Sequence, residues 1–268
     1  MVSDQSRGTK RRKKQSTDEG KKPMKVSEPK KRIQQLNYRS NIGTILKLLR
    51  KLKLSDKHKA QIRKTPFWPI VEALLSDSLQ PSWCRCYNSI IIDVVQLYHK
   101  NKDAFLVSNT YVKLRKSDVK LIFGIECGKE PIISSKQFLQ KGGKDLGFYR
   151  RRCENVKCLD YPSLCNMLDA AMKGHRSIDH ADVARIITLI LCLKLLLPTT
   201  SHAIGWHYLG CVDDITKMKR FDWVDSITET LMSSIRKSNG DPKHVHGCVM
   251  ILLVRNIIHV IFLNLQTV

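Results

Sequence analysis

Apolar residues recur at helical spacing between residues 42 and 54, where apolar and strongly basic positions alternate. The apolar positions are Ile42, Ile45, Leu46, Leu48, Leu49 and Leu52, and the cations among them are Lys47, Arg50, Lys51 and Lys53. Residues three and four apart lie on one side of an α-helix, so the spacing predicts an amphipathic helix with one basic side. A helix docked on a folded domain fits best; a nucleic-acid contact made by those four cations and a membrane-surface helix are the alternatives.

Longer patterns predict further helices and one small β element. The nearly all-apolar run from Val183 to Leu197 stops at Pro198 and predicts a central buried helix, capped by Asp179 and Asp182. Other helices are predicted over residues 56–63, 70–75, 83–99, 119–123, 161–172, 222–235 and 245–263. Partial alternation predicts one or two short strands over residues 105–114, within a β element near residues 105–133. The predicted fold class is mainly α, a bundle-like helical domain over residues 40–268.

Residues 134–160 interrupt the helical pattern. They are polar and contain Gly142, Gly143 and Gly147. Because polar, glycine-rich stretches are typical of loops, an exposed loop that can include one short helix is predicted there. The same stretch is the best candidate for a break between an N-terminal and a C-terminal lobe.

Positive charge is concentrated at the N-terminal end of the chain. Residues 1–64 contain 21 Lys and Arg against 5 Asp and Glu, in a chain of 268 residues with a formal charge of +23. Residues 1–36 have almost no large apolar side chains, so burial cannot offset the entropy of folding, and a disordered basic tail is predicted. Its cation clusters are typical of nuclear-import signals, with a nucleic-acid patch or a solubilising tail as alternatives. The predicted import residues are Lys10, Arg11, Arg12, Lys13, Lys14, Lys30, Lys31 and Arg32.

The cysteines and the apolar stretches indicate the kind of cellular compartment in which the protein resides. Nine cysteines follow a basic N-terminal stretch that lacks the apolar core of a signal peptide, which predicts reduced, mostly buried thiols. The most apolar stretches, residues 186–197 and 249–265, contain Lys194 and Arg255. Buried core helices are therefore favoured over membrane spans, and no membrane partner is expected.

No spacing in the chain is typical of an enzyme. Nucleotide-binding loops, nucleophile elbows and metalloprotease helices have no match, and no group of Cys and His supplies the two close pairs of a zinc site. Asp213, Asp214, Asp222 and Asp225 are better explained by helix caps than by a metal or general-acid cluster. We expect no catalytic residue, no metal ligand and no cofactor.

Two stretches resemble a known family when their order and spacing are taken together. The first runs from IRKTPFWPIVEALL at residues 62–75 to FLVSNTYVKLRKSDVKLIFGIECGKEPI at residues 105–132, and the second covers residues 182–237. They are similar to the plant mobile domain, also labelled aminotransferase-like, and to the related domain that precedes transposon-encoded SUMO-protease-like regions. The matching motifs are packing motifs, such as a Thr-Pro-Phe turn and an apolar helix stopped by a proline.

The resemblance implies a transposon-derived protein of the nucleus, active in transposon silencing or genome maintenance, with protein partners that include a phosphatase. It implies no pyridoxal phosphate, because no lysine lies in a recognisable setting for that cofactor. The chain departs from the family's pattern after Cys248, since residues 255–268 are apolar and contain no tryptophan. A truncated domain and a mispredicted exon are the two explanations.

The expected function is that of a non-enzymatic nuclear scaffold or interaction protein. The alternative is a nucleic-acid-binding protein that uses the basic tail and the helix at residues 42–54. A scaffold would bind nucleic acid only weakly and without sequence preference, and that binding would fall steeply with salt.

Overall fold

The structure is a computed structural model that describes residues 36–76, 88–140 and 142–254. The predicted import clusters and nearly all of the predicted basic tail lie outside the described residues, as do parts of the helices predicted at residues 83–99 and 245–263. The described residues are mainly helical, which confirms the predicted fold class.

The described α-helices, in chain order, are α1 (Ile42–Lys51), α2 (Asp56–Ile62), α3 (Trp68–Leu75), α4 (Asn88–Gln96), α5 (Lys116–Phe123), α6 (Ser135–Gln140), α7 (Tyr161–Met172), α8 (Ser177–Leu191), α9 (Tyr208–Val212) and α10 (Trp223–Ser238). Residues 250–254 are also helical. Two five-residue segments have the wider π-helical hydrogen bonding, Tyr149–Cys153 and Cys192–Leu196.

Helix α8 forms the centre of the domain. All its residues from Asp179 to Leu191 are buried, α2 and α7 pack against it, and it continues directly into the π-helix Cys192–Leu196. The predicted central buried helix is therefore confirmed. It begins earlier than expected, so Asp179 lies in the first turn, where its carboxylate accepts a hydrogen bond from the backbone N–H of Arg176 at 3.2 Å.

The β element lies slightly upstream of its predicted position. An antiparallel sheet has the order β1 (Tyr98–His99), β2 (Ala104–Val107), β3 (Thr110–Val112), with Phe105 opposite Val112. A helix was predicted through residue 99, but Tyr98 instead pairs with Phe105 across the turn at Asp103, whose φ is 47°. The pairing overrides the local helical spacing.

Two further β contacts join segments that are distant in sequence. The strands β4 (Leu159–Asp160) and β5 (Ala203–Ile204) form an antiparallel pair, which the sequence pattern did not predict. Among the described residues of the stretch 125–133, the β contact is an isolated bridge from Glu130 to Phe221.

The stretch 134–160 is more ordered than the predicted loop, although most of its described residues are exposed and it contains the one short α-helix that the prediction allowed. It contains α6 and the first π-helix, and it buries Phe138, Phe148 and Cys153 in the same hydrophobic cluster as the rest of the core. Its glycines permit close packing, since a Cβ at Gly143 would lie 2.4 Å from the ring of Phe138. A break between lobes in this stretch stays a prediction.

Candidate docking groove

The amphipathic helix predicted over residues 42–54 is present as α1. The side chain of Asn41 caps it, accepting a hydrogen bond from the backbone N–H of Thr44 at 3.0 Å, and Leu52 is already extended. The apolar side buries Ile45, Leu46 and Leu49. This burial fixes the rotation of α1, so its basic side is turned away from the core.

A groove of about 660 Å³ lies between α1 and α7. Helix α7 begins at its N-cap Asp160, which accepts a hydrogen bond from the backbone N–H of Ser163 at 2.9 Å, and it buries Leu164, Leu168 and Ala171 in the core. The adjacent side of the helix lines the groove. The lining residues are Thr44, Lys47, Leu48, Lys51, Leu52, Lys53, Tyr161, Cys165, Asp169, Met172 and Lys173.

The groove combines an apolar floor with basic edges. Leu48, Leu52 and Met172 are half-buried and pack against the core, so they form the floor. Four of the lining residues are lysines and one is an aspartate, a net charge of +3. Within the part of the chain that the structure describes, Lys47, Lys51 and Lys53 make no salt bridge.

The inner polar groups of the groove are uncharged at neutral pH. Burial raises the pKa of Tyr161 to about 12, and it also raises the pKa of the Cys165 thiol. The ammonium of Lys194 lies 4.7 Å from the centroid of the Tyr161 ring, a cation–π contact. The charge that a ligand meets in the groove therefore comes from the lysines at its edges and from Asp169.

The structure brings together three of the four predicted nucleic-acid contacts. Lys47, Lys51 and Lys53 line the groove, whereas Arg50 is exposed on α1 but does not line it. Sequence reasoning missed Lys173 and the other α7 side chains, although it predicted the helix itself. The contact with α1 spans more than a hundred positions, and helical spacing within α7 does not show which partner its outer side meets.

A second charged cluster has a structural role. The carboxylate of Asp182 is fully buried and accepts hydrogen bonds from Arg151 at 2.9 Å, Arg152 at 2.9 Å and Arg185 at 2.8 Å. Burial lowers the pKa of the Arg185 guanidinium. Asp182 was predicted to be a helix cap, but it instead ties the π-helix Tyr149–Cys153 to α8.

The aspartates of residues 213–225 do not form one cluster, although Asp222 and Asp225 both pair with Lys116. Asp213 accepts a hydrogen bond from the backbone N–H of Phe148 at 2.8 Å, and Asp222 caps α10 by accepting one from the N–H of Asp225 at 2.9 Å. Across residues 36–76, 88–140 and 142–254, no three His, Cys, Asp or Glu side chains lie close enough together to hold a metal ion. None of the helices in these ranges has the length and apolar character that crossing a membrane requires.

Comparison with known proteins corrects the resemblance drawn from the sequence. No curated protein and no solved structure matches the chain. A family model described as "Domain of unknown function (DUF8566)" matches residues 38–253, a range that includes the whole groove.

The assignment to the plant mobile domain was therefore wrong. The motifs that carried it are packing features, a proline-containing turn and an apolar helix before a proline, and unrelated helical proteins use the same features. The transposon origin and the phosphatase partner rested on that assignment alone, so they are not carried further. The matched range covers most of the chain, and the chain belongs to the family described as a domain of unknown function, DUF8566.

Proposed function

We propose that this protein is a non-enzymatic interaction protein of the nucleus, and that the groove between α1 and α7 binds an acidic, amphipathic segment of a protein partner. One observation carries the proposal: exposed lysines stand at the edges of a groove whose floor is apolar. An amphipathic helix lying in such a groove is a common mode of peptide recognition.

The apolar floor favours a protein segment over other anionic ligands. Burying apolar side chains against Leu48, Leu52 and Met172 contributes roughly 25 cal/mol per Å² of area removed from water. The lysines at the edges then select acidic flanking residues and speed association through long-range attraction. Both parts of the groove thus have a use in binding an acidic amphipathic segment.

Nucleic acid is the second candidate. Lys47, Lys51 and Lys53 have no salt bridge to a described residue, and the clusters within residues 1–35 add further cations. However, a phosphate backbone gains nothing from the apolar floor, whereas an amphipathic protein segment can bury apolar side chains there. Nucleic acid therefore ranks second.

Cys211 and His207 are the residues that could most readily be taken for a nucleophile and its base. Their pKa shifts support the non-enzymatic part of the proposal. Burial raises the pKa of Cys211 to about 11 and lowers the pKa of His207. A buried, protonated thiol is a poor nucleophile, because the thiolate is the reactive form. We read Cys211 as a packing residue of α9.

The nuclear part of the proposal rests on the predicted import residues. Deleting residues 1–36 from a tandem fluorescent fusion, which is too large to enter the nucleus by diffusion, is expected to abolish nuclear accumulation, because import receptors bind clustered cations. A full-length fusion with residues 10–14 changed to alanine shows whether the loss of the cations, without the loss of the segment, is enough to reduce import. Nuclear fluorescence that stays unchanged in both fusions would contradict the nuclear assignment and leave the groove untouched.

The groove is tested with peptides selected from a displayed random library on the full-length protein. Selected peptides are expected to combine Asp and Glu with Leu, Ile or Phe. The double variant Lys47→Glu, Lys51→Glu should weaken their binding at least about tenfold, because two attractive charges become repulsive. Fluorescence anisotropy of labelled peptides measures the affinity.

The matched control is Lys57→Glu, Lys64→Glu, which reverses two exposed lysines outside the groove and should leave peptide affinity unchanged. Leu48→Ser, with folding checked by circular dichroism, should weaken peptide binding but not binding of single-stranded oligothymidine. If the selected peptides carry no acidic bias, or if both lysine pairs have equal effects, the groove is not the docking site. Oligothymidine binding that depends on Lys47 and Lys51 while peptides fail to bind would favour nucleic acid instead.

A further inference from the structure

A second, smaller pocket lies beside the start of α1, and it carries an inference that does not depend on the groove. Its volume is about 230 Å³. Its lining residues are Tyr38, Arg39, Asn41, Leu193, Lys194, Ser201 and His202. Arg39 gives the pocket a positive charge, since no carboxylate lines it; Lys194 also lines the pocket, but its ammonium lies over the Tyr161 ring.

Arg39 and His202 are held in defined hydrogen-bonding roles. One terminal nitrogen of the Arg39 guanidinium donates to the carbonyl of Thr199 at 3.2 Å, and the other lies 3.4 Å from Nε2 of His202. A guanidinium can only donate, so Nε2 accepts and the neutral imidazole carries its proton on Nδ1. Both side chains therefore keep N–H donors that these bonds do not use.

Ser201 and Asn41 also keep hydrogen-bond donors that are not used. The hydroxyl oxygen of Ser201 accepts a hydrogen bond from the backbone N–H of Ala203 at 3.2 Å, and the carbonyl oxygen of Asn41 accepts the capping bond from Thr44. Within the described ranges, no hydrogen bond uses the hydroxyl proton of Ser201 or the amide nitrogen of Asn41. The acceptors are occupied and the donors remain.

A pocket with an arginine, several remaining donors and no carboxylate matches an oxyanion. At about 230 Å³ the pocket is large enough for a tetrahedral phosphate group. We infer that this pocket binds a phosphate group, either as free phosphate or as the phosphomonoester of a phosphorylated serine or threonine. The Arg39 guanidinium supplies the charge-assisted bonds, and Ser201, His202 and Asn41 add neutral ones.

Calorimetric titration of the full-length protein in a phosphate-free buffer tests the inference. The probes are inorganic phosphate, a short phosphoserine peptide and the same peptide without phosphate. Phosphate and the phosphopeptide are expected to bind, and the unmodified peptide is not. Arg39→Gln should weaken binding at least about tenfold, because it removes the charge-assisted bonds. Ser201→Ala should weaken it less, because it removes one neutral bond and disturbs the packing little.

Arg50→Gln is the matched control, since it removes an exposed arginine of α1 outside the pocket and should leave the affinity unchanged. A phosphopeptide that binds about tenfold more tightly than inorganic phosphate identifies a phosphorylated side chain as the natural ligand; equal affinities identify free phosphate. Binding of both probes weaker than about 10 mM would overturn the inference. So would binding that neither Arg39→Gln nor Ser201→Ala alters.

Discussion

Replacing Asp182 with asparagine is expected to lower the free energy of unfolding by about 3 to 5 kcal/mol, the range for breaking a buried ion pair by removing one partner. The substitution keeps the size of the side chain and removes its charge. Arg151 and Arg185 would then lose their carboxylate partner at a largely buried site, and Arg152 would keep only its ion pair with Asp179. Urea denaturation followed by circular dichroism measures the change.

The matched control for this variant is Asp145→Asn. Asp145 pairs with Arg150 at 2.7 Å, but both side chains are largely exposed, so the loss should stay below about 1 kcal/mol. Equal losses in the two variants would show that burial does not set the strength of the Asp182 cluster. A loss below about 1 kcal/mol for Asp182→Asn would contradict its role in tying the π-helix to α8.

Replacing Trp223 with alanine is expected to cost about 3 to 5 kcal/mol, as for other large buried aromatic residues. Trp223 is fully buried at the start of α10, and its ring lies 5.1 Å from that of Phe67 in an edge-on arrangement. Its indole N–H donates a hydrogen bond to the carbonyl of Met218 at 2.9 Å. The alanine variant loses the packing, the ring contact and this bond together.

Trp223→Phe separates these contributions. It keeps an aromatic ring but leaves the Met218 carbonyl without its donor, so a loss of about 1 to 3 kcal/mol is expected in the same denaturation experiment. Trp68→Phe is the control, since Trp68 is only half-buried and its ring contacts Arg63 at 4.6 Å; its loss should stay below about 1.5 kcal/mol. If Trp223→Ala costs no more than Trp68→Phe, Trp223 does not anchor α10.

Local patterns predicted the helices well because helix formation depends on neighbours a few residues away. The spacing over residues 42–54 predicted α1, and the apolar run before Pro198 predicted α8. The same reasoning failed where a distant partner decides the structure. Tyr98 became part of a strand because Phe105 pairs with it, and the stretch 134–160 became ordered because its few aromatic residues reach the common core.

The candidate groove was half predictable for the same reason. The lysines of α1 stand out in the sequence, because they alternate with leucines and isoleucines within one helix. The side chains of α7 that complete the groove do not stand out, since Asp169, Met172 and Lys173 form no recognisable motif. Asp182 was assigned to the wrong role because a cap and a buried ion pair both place a carboxylate near a helix start, and only the arginines at positions 151 and 152 distinguish the two.

Lys194, in the π-helix that follows α8, belongs to both proposed binding surfaces. Its carbonyl accepts a hydrogen bond from the backbone N–H of Asn41 at 2.6 Å, its ammonium covers Tyr161 in the groove, and it also lines the smaller pocket. A π-helical turn contains an extra residue compared with an α-helical one, and such turns are frequent at functional sites. A shift of Lys194 would alter both binding surfaces. Each ligand would then change the affinity for the other by the same factor.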